Sequence, residues 1–61
     1  MNEIDTANKF MVGVRGDHIV VLNPPREPIT NADALNLAAY IVSCVGDDEL
    51  WESTLAAVQN A

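Results

Sequence analysis

Groups that carry chemistry are scarce in this chain. It holds one cysteine, Cys44, one histidine, His18, and three basic side chains, Lys9, Arg15 and Arg26. A lone cysteine excludes an intrachain disulfide, and together with a single imidazole it supplies too few ligands for a closed zinc site. No metal or cofactor is expected. Three basic residues against nine acidic ones leave a formal net charge of −6, so the chain lacks the cationic footprint that holds nucleic acid or an anionic membrane by counterion release. Long apolar runs are missing too. The stretch from Leu37 to Val45 is broken by Ser43 and falls far short of the ~20 residues that span a bilayer. The opening Met-Asn-Glu-Ile-Asp has neither the basic nor the apolar region of a secretory signal. With its single cysteine, the chain is expected in a reducing cytoplasm.

Catalysis needs converging groups, and the spacing offers none. His18 falls at the end of a strand-like segment and Cys44 on a nearly all-apolar helix, with no motif joining them. We expect no enzymatic activity, with Cys44 a small buried hydrophobe and His18 a surface residue. Arg15-Gly16-Asp17 spells a cell-adhesion tripeptide, but it coincides with a Gly-X turn signal, and the turn explains it. Asp47, Asp48 and Glu49 sit where a second helix begins, which accounts for their charge without a cation.

The pattern that is present divides the chain in two. Residues 1–8 carry little apolar material beyond Ile4 and read as a flexible N-terminal arm, followed by one small domain over residues 9–61. From Lys9 the side chains alternate: Phe10, Val12 and Val14 on one face of a strand, Met11, Gly13 and Arg15 on the other. After Gly16-Asp17, His18–Leu22 reads as the return strand. Three prolines within Leu22–Thr30 then impose a stiff, extended loop.

Thr30 is a suitable N-cap for a helix over Asn31–Val45 that stops at Gly46, and Asp33 falls at its third position. In projection, Asp33, Asn36, Tyr40 and Ser43 form one narrow polar stripe, and nearly everything else on this helix is apolar. Asp47 caps a second, amphipathic helix whose apolar face includes Leu50, Trp51, Leu55 and Val58, with Trp51 expected in the core. The expected fold is therefore α+β, an N-terminal β-hairpin followed by two helices (ββαα). One hairpin and one helix cannot cover both apolar faces of the first helix. A chain this short is also at the lower limit of independent stability, so that helix is expected to lie at the centre of a homo-oligomer.

Arg26 is the strongest candidate for a binding residue. It sits on the proline loop shortly before a helix N-terminus, where free N–H groups and the dipole favour an anion, and a guanidinium there can clamp phosphate or carboxylate. Asn23, Thr30 and Asn31 complete the expected ligand-binding set. The competing reading pairs Arg26 with Glu27, Asp33 or a carboxylate of a neighbouring subunit.

His-Ile-Val-Val-Leu-Asn-Pro-Pro-Arg at 18–26 and Ala-Leu-Asn-Leu-Ala-Ala-Tyr-Ile-Val at 34–42 resemble small uncharacterised accessory proteins of tailed bacteriophages and prophages. The resemblance implies action in the cytoplasm of an infected bacterial host and no enzyme activity. By analogy with that setting, the expected function is anti-defence binding: a homo-oligomer that sequesters a small anionic, nucleotide-like ligand between subunits. The alternatives are an acidic inhibitor of a host protein, engaging it through helix two in imitation of nucleic acid, and a structural part of the phage particle.

Overall fold

The computed structural model describes residues 4–61. Its elements are β1 (Val12–Arg15), β2 (His18–Val21), α1 (Asn31–Val45) and α2 (Asp48–Gln59), the ββαα order expected from the sequence. The strands pair antiparallel, with Val12 opposite Val21 and Arg15 opposite His18. Gly16 takes a left-handed φ of 62°, so Gly16 and Asp17 form the two-residue turn, and the Arg15-Gly16-Asp17 tripeptide is the hairpin corner.

β1 begins later than the alternation predicts. Lys9 and Phe10 form a turn in which the Met11 N–H donates to the Asn8 carbonyl at 3.2 Å, and Met11 takes a φ of 52°, a conformation that costs any residue with a Cβ. Asn8 compensates by clamping Val12. Its Oδ1 accepts the Val12 N–H and its Nδ2 donates to the Val12 carbonyl, each at 2.9 Å. Backbone pairing still continues beyond the strand, from Leu22 N–H to the Met11 carbonyl and from Asn23 N–H to the Phe10 carbonyl, both at 3.1 Å. Phe10 and Val12 share the buried face as expected, at 8% and 7% exposure, whereas Val14, nearer the hairpin tip, is exposed.

Local capping sets both helices. The Thr30 Oγ1 accepts the Asp33 N–H at 3.1 Å, and α1 ends at Gly46, whose φ of 73° closes the last turn. The Asp47 carboxylate accepts the Leu50 N–H at 2.9 Å to start α2. α1 packs on both strands, half-burying Leu37, Ile41, Val42 and Cys44. α2 has no comparable support. All twelve of its residues are exposed, and Trp51, expected in the core, is 36% exposed. α1 makes the helix contacts with the hairpin, and α2 makes almost none with the hairpin or with α1, so its apolar stripe is left without cover from the same chain. Among the described residues no helix is long and apolar enough to cross a membrane.

Candidate functional site

The described residues form two concavities, one of them walled by α1. One lies under the proline loop, where Phe10, Asn23, Arg26, Glu27 and the three prolines line a hollow of about 400 Å³. Asn23 positions this loop: its Nδ2 donates to the Lys9 carbonyl at 2.9 Å, beside the backbone bond from its N–H to Phe10. Arg26 has no carboxylate within ion-pair distance among the described residues. The partner considered for it, Asp33, is held instead by the Lys9 ammonium at 2.8 Å. Glu27 stands on the same rim as Arg26. Of the four residues expected to bind a ligand, Arg26 and Asn23 share the hollow. Thr30, whose hydroxyl caps α1, and Asn31, the first residue of α1, do not line it.

The second concavity, of about 740 Å³, runs between residues 4–9 and α1, with Ile4, Lys9, Leu35, Asn36, Ala39 and Tyr40 among its walls. Of the flexible arm expected over residues 1–8, residues 1–3 lie outside the described residues. The remainder runs along the polar stripe of α1. Asn36 Nδ2 donates to the carbonyls of Asp5 and Ala7, each at 3.0 Å, and the Tyr40 hydroxyl donates to the Thr6 carbonyl. Asn36 Oδ1 is shielded from solvent and has no hydrogen-bond partner among the described residues. The sequence showed the polar stripe but not its occupant, since such a stripe is satisfied equally by water or by a polar segment laid over it.

Lys9 secures the lower end of the arm, reaching Asp5 at 3.1 Å as well as Asp33. The Ala7 N–H and then Lys9 hold the Asp5 carboxyl below its ordinary 3.8. Hydrogen bonds to Asp33 and then Asp5 raise Lys9 above its ordinary 10.5. A lowered carboxyl favours the docked arm above the ordinary carboxylate value and loses that preference as pH falls through the lowered one. A raised ammonium contributes fully below its ordinary value and is lost only as pH climbs through the raised one. The ionic part of the docking therefore holds across the neutral range and is lost in acid, while the Asn36 and Tyr40 bonds to the arm remain. Followed by NMR, the Ala7 amide shift should titrate with a midpoint below 3.8, and a midpoint at or above that value would show that nothing holds Asp5.

His18 and Cys44 stay apart from both concavities. His18 is exposed at the hairpin corner, with Nδ1 at 2.7 Å from the Asp17 carboxylate, and Cys44 is a half-buried free thiol on α1. Among the described residues no three His, Cys, Asp or Glu side chains converge on a metal position. Comparison with protein families, curated proteins and solved structures finds no match to this chain.

Proposed function

We propose that this chain is a non-catalytic binding protein that works as a homo-oligomer and captures a small anionic, nucleotide-like ligand on its proline loop. The observation that carries this reading is Arg26. In a chain with nine carboxylates it has no ion-pair partner among the described residues, and it sits on a loop stiffened by prolines and tied back to Lys9 by Asn23. An unpaired guanidinium beside an open hollow presents its planar fork to phosphate oxygens. Glu27 on the same rim supplies an acceptor for an N–H of a base, which suits a ligand with both a phosphate and a nitrogen heterocycle. The likeness of the Asn-Pro-Pro-Arg loop and the Ala-Leu-Asn-Leu-Ala-Ala helix to phage accessory proteins gives the setting, anti-defence sequestration inside an infected bacterium.

Calorimetry with a panel of linear and cyclic nucleotides tests it. Arg26→Ala should weaken binding by on the order of 1.5–3 kcal/mol, the worth of a charge-assisted hydrogen bond, and Arg26→Lys should recover only part of that. The chain's acidity favours one competitor, a basic host protein engaged through the exposed Glu49 and Glu52 of α2. If no nucleotide binds the wild type, and a host protein is captured in a manner lost on charge reversal of Glu49 and Glu52, the acidic reading replaces the ligand trap.

A further inference from the structure

We infer that the apolar stripe of α2 is covered by a second copy of this chain, docked across the open side of α1. The argument starts from area. A compact folded chain of 6.6 kDa exposes about 3,900 Å². This one exposes 5245 Å², an excess of about 1,300 Å², more than the about 800 Å² that each partner contributes to a standard stable interface. Part of the excess lies on the arm and hairpin, where Ile4, Met11, Val14 and Leu22 are exposed, and part lies on the two helices. Leu50 and Val58 are 57% and 67% exposed, Trp51 and Leu55 lie on the same face of α2, and Leu35 and Val45 stand open on α1. Apolar patches of this extent are rare on stable monomers.

Each copy carries both halves of the contact, a convex apolar helix and an apolar groove walled by Leu35 and Ala39. Two copies can exchange the same surfaces about a two-fold axis, the self-complementary arrangement most homo-oligomers use. Charge sets the conditions. The groove contains Asp5 and Asp33 with Lys9 already bound to both, and α2 brings Asp48, Glu49 and Glu52. Copies of net charge −6 therefore associate more tightly as salt screens their repulsion. The inference rests on the reading of this protein as a homo-oligomer and assigns the surface that makes it one.

Sedimentation velocity and light scattering on the full chain test it, with Trp51 as a probe that needs no substitution. The wild type should be oligomeric at micromolar concentration, and on dilution Trp51 emission should shift to the red as the protein dissociates, at lower concentrations when salt is raised. Leu55→Asp and Leu35→Asp should each yield monomers, while Arg15→Ala at the hairpin corner should leave assembly unchanged. A wild-type monomer whose Trp51 emission is independent of concentration overturns the inference and leaves the face to a different partner. An oligomer that Leu55→Asp and Leu35→Asp do not disturb overturns it as well, because another surface then holds the copies together. Nucleotide calorimetry on the same samples separates the readings: an oligomer that dissociates as described yet binds no nucleotide upholds the interface and defeats the ligand trap.

Discussion

Phe10→Ala should unfold this protein at room temperature or bring it to the edge of unfolding. Phe10 is one of two buried hydrophobic side chains among the described residues, and no side chain is fully enclosed. Truncating a buried phenylalanine costs about 3–5 kcal/mol in lost transfer energy and unfilled volume. At about 0.05–0.15 kcal/mol per residue, a chain of this length has only about 3–9 kcal/mol of stability in total. Phe10 also lies where three things meet: the turn before β1, the backbone bond from Asn23, and the wall of the proline-loop hollow. Its loss therefore disturbs the candidate site together with the core. Phe10→Leu, which keeps most of the volume, should cost less than about 1.5 kcal/mol. Urea unfolding followed by circular dichroism decides the matter. An alanine variant with a midpoint close to the wild type would show that Phe10 is not what anchors the fold.

What could be read from the sequence was mostly local. Thr30, Gly46 and Asp47 mark helix ends because a cap is made by a residue and its neighbours within four positions, and the structure places all three where the pattern did. The Gly16-Asp17 turn was legible for the same reason. The start of β1 was not, because alternation over 9–15 looks like uninterrupted strand. The choice that ends it, a left-handed Met11 held by Asn8 reaching forward to Val12, leaves no periodic trace.

Longer-range choices were less visible still. The polar stripe on α1 announced that it would not be covered by apolar groups, but its occupant is backbone from Asp5, Thr6 and Ala7, and carbonyls carry no sequence signature. Asp33 was a reasonable partner for Arg26 by proximity in the chain. It is taken by Lys9, 24 positions away, a pairing that no spacing rule selects and that leaves Arg26 without an ion-pair partner among the described residues. The amphipathic pattern of α2 said that Trp51 needs cover without saying from what. The exposed face of α2 shows that α1 and the hairpin of the same chain do not provide it.

Asn8→Ala should have the second-largest effect on stability, although the side chain it removes is small and exposed. The two-residue turn makes Arg15 and His18 the bonded pair that closes the hairpin. Bonded and non-bonded pairs alternate from there, so the N–H and carbonyl of Val12 point away from β2 toward the open edge. Asn8 answers both with one amide. Alanine leaves two backbone groups of a buried residue without partners, at about 1–3 kcal/mol for each that stays shielded and less where water enters. We expect a loss of about 2–4 kcal/mol for the pair. It also frees the turn that holds Met11 in its costly conformation. Asn8→Asp separates the two bonds. A carboxylate still accepts the Val12 N–H but faces the Val12 carbonyl with a like partial charge, whereas a protonated carboxyl donates to it as the amide does. The folded variant favours the protonated form, so its carboxyl is raised. Stability should therefore be recovered as pH falls through that raised value and lost again as pH climbs back. Denaturant midpoints measured across the acid range give the answer. If Asn8→Asp instead matches the wild type across the acid range, with no pH dependence of its own, the donated bond to the Val12 carbonyl contributes nothing, and the clamp reduces to a single acceptor.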